Sequence, residues 1–459
     1  MIDPRAAAAL EWLGPARPMV GGTFLAGAGS FTSLCPSTGE PLADVSTAGA
    51  GEIEAAVVAA KAALAGEWGA ALPVQRAKAL LRLADLIDAN VGNIAALEAA
   101  DGVRPYVEAL YGDVPVSATI FRHFAGMTGA IEGSVKYPSI GYAPPGSSVR
   151  AFVDLRPVGV VAAIVPWNFP FIMAAARLAP ALAAGCAVVL KPAEDTSLSA
   201  VALAKLVIEA GFPTGAVSVL TGTGAETGAA LVRHPGIDMV SFTGSTPVGR
   251  EIGEVCGRAL KKQSLELGGK CAAIVMDDAN VDSAAAGLAG AAFGNAGQVC
   301  VAAARILAHA SVHDALVEKL TAAAHAIKPG STFTDGAMSP IINARQRTRI
   351  GGLLDEAVAK GAMLSGAHAN DATGFYLNPV VVSGPCNGAR IASEETFGPA
   401  VVVERFDDLH QALSMANDTP YGLAGSIWTQ RWRDADIASR RMAAGTVYVN
   451  CHAWADPAE

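Results

Sequence analysis

Three patterns of hydrophobic and polar positions succeed one another along the chain. From about Gly51 to Gly133 apolar residues recur at helical spacing, most clearly over 74–89, where Leu80, Leu81, Leu83, Ala84 and Leu86 form one face among Arg76, Lys78, Arg82 and Asp85. From Leu155 onward short apolar runs alternate with helical stretches, over 158–165, 174–184, 187–190, 198–210, 216–220, 226–232, 239–242 and 248–259. That alternation predicts a parallel sheet with helices on its faces. A second α/β stretch begins near Cys271, with 272–276, 281–293 and 312–327, and reaches beyond Val401 to 447–449. Between the helical entry and the first sheet, 125–156 is rich in Gly, Pro and Ser and alternates weakly, as an exposed arm or hairpin does. No internal repeat is present.

One apolar stretch, 159–190, holds a single charge, Arg177, and has the length and apolarity of a membrane span. Pro166, Asn168, Pro170 and Pro180 interrupt it, so it reads as a buried strand, a helix and a second buried strand, since strands covered on both faces are continuously apolar.

Composition narrows the picture. A chain of 459 residues, 52% hydrophobic, exceeds one ordinary core and predicts two or three domains. The formal charge is −9 with no basic stripe, which disfavours nucleic acid and anionic membrane as partners. The seven cysteines, at 35, 186, 256, 271, 300, 386 and 451, lack the paired spacing of a disulfide framework or a metal site. They read as reduced thiols, and the Met-Ile-Asp-Pro-Arg opening lacks a signal pattern, so a cytoplasmic location without a bound metal is expected.

Several segments carry candidate chemistry. Gly222-Thr-Gly224-Ala-Glu-Thr-Gly228 follows a strand and opens a helix, which is either an ordinary turn or a close approach to a nucleotide. Phe242-Thr-Gly244-Ser245 places small and hydroxyl residues at the next helix N-terminus, where free N–H groups favour a pyrophosphate. No P-loop spacing occurs. Cys300, in Gly297-Gln298-Val-Cys300, has no acidic sequence neighbour to repel a thiolate, although a lone cysteine also serves as buried filler. Glu266, between two leucines, suits general base work or is a strand-end carboxylate facing solvent. Asn168, between Pro166 and Pro170, is either a turn residue or an amide donor to an oxyanion.

At these residues the chain resembles the aldehyde dehydrogenase superfamily of the hydrolytic, NAD(P)-dependent type. Pro166-Trp-Asn-Phe-Pro170, Phe242-Thr-Gly-Ser245, Leu265-Glu-Leu-Gly-Gly269, Gly297-Gln-Val-Cys300 and Glu395-Thr-Phe-Gly-Pro399 stand in that family's order, with Glu266 and Cys300 34 residues apart. The resemblance spans nearly the whole chain. It implies an α/β protein with a modified Rossmann cofactor domain (1–126 and 154–265), an α/β catalytic domain (266–459) and a small β oligomerisation arm (127–153). Homodimers or homotetramers are the family norm.

By matching position, the resemblance makes Cys300 the nucleophile, Glu266 the base and Asn168 an oxyanion donor. It gives the adenosine ribose to Lys191 and Glu194, the pyrophosphate to Thr243 and Ser245, and the nicotinamide ribose to Gln346 and Glu395 beside Phe397. Ile164, Pro166, Trp167, Gly224, Gly228, Phe242, Gly244, Val248 and Leu267 complete the cofactor set. NAD is expected over NADP, because Glu194 would repel a 2′-phosphate. Phe171, Met173, Ala176 and Trp454 would line the substrate tunnel, with Ala176 where relatives often carry a large aromatic. An apolar aldehyde, aromatic or medium-chain, is the expected substrate. A CoA-acylating semialdehyde dehydrogenase lacks the base, which Glu266 argues against, and a catalytically silent scaffold would have lost one of the three catalytic residues. Relatives continue through a Phe-Gly-Gly motif beyond the point where this chain ends, so weakened assembly and a more open substrate mouth are expected.

Overall fold

The computed structural model describes residues 2–138, 146–370, 372–386 and 388–453. Among these, a seven-stranded sheet runs, in spatial order, Lys262–Glu266, Met239–Thr243, Val160–Ile164, Ala187–Lys191, Val217–Val219, Met19–Val20 and Thr23–Phe24. The first five strands are mutually parallel and the last two pairings antiparallel. A second seven-stranded sheet runs Met363–Leu364, Val380–Ser383, Ala400–Phe406, Arg305–His309, Ala272–Val275, Ala424–Trp428 and Thr446–Val449, parallel except at its first pair.

The apolar runs form the central strands because helices cover both faces. Val160–Ile164 and Ala187–Lys191 are buried at every position, and the helix Pro170–Ala184 joins them. The 159–190 stretch is therefore strand, helix and strand, and among the described residues no single helix is long and apolar enough to cross a membrane. Ser134–Lys136 pairs antiparallel with Ala151–Val153, the two sides of the segment expected as an arm.

Topology positions the site in two ways. The Pro170–Ala184 and Thr246–Ala259 helices start at the carboxyl ends of adjacent parallel strands, where open α/β sheets bind ligands. Lys262–Glu266 is the edge strand of the first sheet and runs through Leu267–Cys271 straight into Ala272–Val275 of the second. Glu266 and the two glycines after it thus lie on the passage between the sheets.

Two buried carboxylates hold helix starts in the first layer. Glu98 Oε2 accepts from the Phe171 N–H at 3.3 Å and Asp101 Oδ2 from the Leu198 N–H at 3.0 Å, each at a helix N-terminus where negative charge is favoured. Both are fully buried. Burial nevertheless dominates, pushing Glu98 up to about 7 and Asp101 well above the usual range. The folded chain therefore keeps the Glu98 proton that the unfolded chain releases near 4.5. The resulting stabilisation is fully present below that value and is lost as pH rises through about 7. Glu98→Gln is expected to remove a pH-dependent difference of about 2 kcal/mol between roughly pH 5.5 and pH 8. Urea unfolding of both proteins at the two pH values measures it, and parallel pH profiles would show that Glu98 ionises as it does in water.

Candidate active site

The thiol loop lies between the helix Val281–Phe293 and the strand Arg305–His309. Asn295, Ala296 and Gly297 all adopt left-handed conformations, with φ of 50°, 53° and 68°. A Cβ at Gly297 would lie 2.1 Å from the Gly398 carbonyl oxygen, so both conformation and space require glycine there. Gln298, fully buried, anchors the loop just before the thiol: its Nε2 donates to the carbonyls of Asn295 (3.1 Å) and Pro340 (3.0 Å), and its Oε1 accepts from the Ile342 N–H (3.0 Å).

Asn168 meets this loop directly. Its Nδ2 donates to the Gln298 carbonyl at 2.9 Å, which fixes the amide and leaves one of its two hydrogens for another acceptor. Asn295 Nδ2 returns a bond to the Asn168 carbonyl at 3.3 Å. On the downstream side, the Cys271 thiol donates to the Cys300 carbonyl at 3.6 Å, and a Cβ at Gly269 would stand 2.7 Å from that same oxygen. Asn168 and Cys300, 132 positions apart in the sequence, thus belong to one hydrogen-bonded unit.

The electrostatics differ from the sequence reading. No acidic residue neighbours Cys300 along the chain, but the fold brings Glu395 and Glu266 within reach of it. Burial, then Glu395 and Glu266, push the Cys300 thiol up to about 11, so it is protonated at neutral pH. Glu266 is the exposed last residue of its edge strand, not enclosed by the leucines beside it. Its charge also acts on Arg177, a cation lowered by burial that donates to Thr243 Oγ1 at 2.7 Å while its Nε has no partner.

The proposed cofactor residues gather at the carboxyl ends of the first sheet. Lys191, almost fully buried, donates to Glu194 at 3.2 Å. Burial raises Glu194, but the Lys191 charge and nearby N–H groups outweigh it and hold the carboxyl below its ordinary value. A Cβ at Gly224 would stand 3.8 Å from that carboxylate, and one at Gly228 3.9 Å from the Lys191 side chain, so the backbone of both glycines lies directly against the pair. At the next turn, a Cβ at Gly244 would meet the Phe242 ring at 2.5 Å, the Ser245 side chain makes no capping bond, and the buried Thr246 Oγ1 has no partner. This cradle fits a pyrophosphate. Ile164 and Phe242 are buried beneath it, Val248 is exposed on the helix that starts there, and Leu267 packs where a Gly249 side chain would be.

On the far side, Arg349 joins Gln346 to the Glu395 segment: its Nε donates to Gln346 Oε1 at 2.9 Å and its Nη1 to the Glu395 carbonyl at 3.1 Å. Glu395 Oε1 accepts from the Gly269 N–H at 3.0 Å, and the buried Lys270 donates to Thr396 at 3.0 Å. Phe397, at φ 48°, sets its ring edge-on to Trp167, the residue after Pro166, with centroids 5.2 Å apart.

One expected tunnel wall is corrected. Phe171 is fully buried in the core of the first layer, because the 3.6-residue period puts it on the same helix face as Ala174, Ala175 and Leu178. Met173, Ala176 and Arg177 occupy the less buried face, and Trp454 lies outside the described residues. Sequence reasoning gave no role to Gln298, Arg177 and Arg349, which hydrogen-bond to the thiol loop's surroundings, to Thr243 and to the Glu395 segment. The lone charge of Arg177 in an apolar run is a usable signal; nothing in the sequence marks Arg349.

Comparisons with known proteins agree with this geometry. The model of the aldehyde dehydrogenase family matches residues 24–459. The chain is 41% identical over 427 residues to the phenylacetaldehyde dehydrogenase of Pseudomonas fluorescens, covering 92% of this chain and 85% of that protein. It is 38% identical over 448 residues to the aminoacetaldehyde dehydrogenase of Pseudomonas aeruginosa, covering 96% and 89%. The NAD+ complex of an aldehyde dehydrogenase from Bacillus cereus superposes with a TM-score of 0.94 at 34% identity, covering 99% of this chain and 92% of that one.

Proposed function

The chain belongs to the aldehyde dehydrogenase family, an NAD(P)-dependent oxidoreductase, and on that premise we propose that it oxidises an apolar aldehyde to the carboxylic acid with NAD through a Cys300 thioester. The observation that carries the reading is the Asn168–Gln298 bond, which holds an amide donor on the loop that bears the nucleophile. Because the thiol is pushed up to about 11, a base must take its proton, and Glu266 is the carboxylate whose charge it feels at an exposed, water-accessible position. The thiolate adds to the carbonyl carbon as the carbonyl electrons move onto oxygen, where the second Asn168 hydrogen and the Cys300 N–H receive them. Bound NAD supplies the acceptor for the hydride that leaves the tetrahedral carbon. Once its exposed carboxyl has passed the thiol proton to solvent, Glu266 removes a proton from the water that adds to the thioester, and the acid departs as Cys300 regains its electron pair.

Three features support the finer assignments. The Glu194 carboxylate beside Lys191 would repel a 2′-phosphate, so kcat/KM is expected to favour NAD over NADP by about tenfold or more, and Glu194→Gln to narrow the gap. Met173 and Ala176 place apolar side chains on the less buried helix face, which they share with Arg177, and the P. fluorescens relative is named for an aromatic aldehyde. NADH production with phenylacetaldehyde, octanal, aminoacetaldehyde, betaine aldehyde and succinic semialdehyde tests the reading; a charged aldehyde as best substrate would overturn it. Hydrolysis rather than acyl transfer predicts no acceleration by CoA.

Strand residues Val135 and Phe152 of the Ser134–Lys136 and Ala151–Val153 pair stand exposed, with Phe152 at 73%. Such an apolar ribbon is a poor monomer surface and supports a homodimer or homotetramer built through this arm. Light scattering should give a multiple of the 46.5 kDa chain, and Phe152→Asp should lower that mass. An unchanged mass would remove the arm from the interface.

A further inference from the structure

Beyond Thr446–Val449 the chain turns sharply at two left-handed residues, Asn450 with φ of 54° and Ala453 with φ of 59°. The first turn is tied down: Asn450 Oδ1 accepts from the Thr429 N–H and its Nδ2 donates to the Thr429 carbonyl, both at 3.0 Å. Between the two turns His452 is driven inward, 7% exposed, with its ring 5.6 Å from that of Tyr448. Its Nε2 lies 2.9 Å from the Val301 carbonyl oxygen and its Nδ1 2.7 Å from Ser426 Oγ. The backbone conformation disfavoured for non-glycine residues is thus retained where it delivers one side chain to the residue after Cys300.

The partners fix the tautomer. A carbonyl only accepts, so Nε2 carries the hydrogen and donates to Val301; Nδ1 is then a lone pair, and the Ser426 hydroxyl donates to it. Burial lowers the imidazole to about 4, so the ring is neutral throughout the working pH range.

We propose that His452 is a positioning residue for the thiol loop, its Nε2–H holding the Val301 carbonyl so that the Cys300 thiol and N–H keep their orientation. Upstream, the Gln298 carbonyl is held by Asn168. Downstream, the Cys300 carbonyl is held by the Cys271 thiol and the Val301 carbonyl by His452. Loss of the last tie frees the Val301–Ala302 peptide plane, the second after the nucleophile, and leaves the Cys271 bond as the remaining downstream hold, which lets the Cys300 N–H and thiol drift off the line of attack without touching the cofactor cleft.

This inference rests on Cys300 as the nucleophile, and its test keeps the two apart. His452→Phe fills the volume without a donor and should lower kcat roughly 10- to 100-fold, because small misplacements cost that much. The NAD dissociation constant, read by fluorescence quenching, should stay within about twofold, and iodoacetamide should alkylate Cys300 at a changed rate. His452→Gln, whose amide can still donate to Val301, should recover most of kcat. Ser426→Ala, which frees Nδ1 to take the hydrogen, should lower kcat severalfold even if His452→Phe does not fold. Wild-type kcat in His452→Phe or in a stable Ser426→Ala, or a His452→Gln as slow as His452→Phe, would overturn the proposal while Cys300→Ala stayed inactive. An active Cys300→Ala would instead overturn the reading on which it rests.

Discussion

Cys300→Ala is expected to abolish steady-state NADH production, by a factor on the order of 10⁴ or more, with little loss of NAD binding. Cys300 is half-buried on a loop held by Gln298, Asn168 and Cys271, so deletion of its sulfur leaves those ties intact. Without the thiol no thiohemiacetal forms, and hydride departure from a free aldehyde has no developing oxyanion to drive it. Retained turnover in a correctly folded Cys300→Ala protein would remove the residue from the mechanism.

Glu266→Gln should separate the two halves of that mechanism. Hydride transfer precedes hydrolysis, so mixing this variant with aldehyde and NAD should release about one NADH per site and then stall as thioester accumulates. Because the thiol is pushed up by burial and by Glu395 as well as Glu266, loss of Glu266 leaves it protonated at neutral pH. The burst rate should therefore rise with pH, as solvent takes over the removal of the proton. Stopped-flow fluorescence checks both points, and steady turnover at the wild-type rate would show that another group activates water.

The sheet alternation is readable because period and burial agree: 281–293, one run of the second α/β stretch, forms the helix Val281–Phe293, capped by Asn280. Strand ends are less so, since 158–165 contracts to Val160–Ile164 where Gly159 turns at φ 121°. At the site, periodicity and local motif can propose Cys300, Glu266 and Asn168, but not their couplings. The Glu395 charge on Cys300, the Arg349 link from Gln346 across to Glu395, and the His452 tie to Val301 join positions 46 to 151 residues apart, which no local pattern encodes. Phe171 illustrates the converse. As a large apolar residue after Asn168 it reads as a substrate wall, and only the packing around Pro170–Ala184 decides that it faces the core.

Asn168→Ala is expected to lower kcat by about 10²- to 10³-fold, the usual cost of one oxyanion donor, with the KM for NAD nearly unchanged. The size of the effect depends on the second amide hydrogen, since the first is committed to the Gln298 carbonyl. Asn168→Asp should be worse than alanine: a carboxylate offers no hydrogen to the oxyanion and places negative charge against that same carbonyl. A purely structural role for Asn168 predicts a different pattern. If it served only to brace the loop, its loss would resemble that of Gln298→Ala, which gives up bonds to Asn295, Pro340 and Ile342 and should reduce thermal stability together with kcat. The Asn168→Ala protein should instead keep its melting temperature within a few degrees while losing turnover, because Asn295 Nδ2 still faces the Gln298 carbonyl at 3.5 Å. Parallel losses of stability and rate in the two variants would assign Asn168 to the brace and leave the oxyanion to the Cys300 N–H alone.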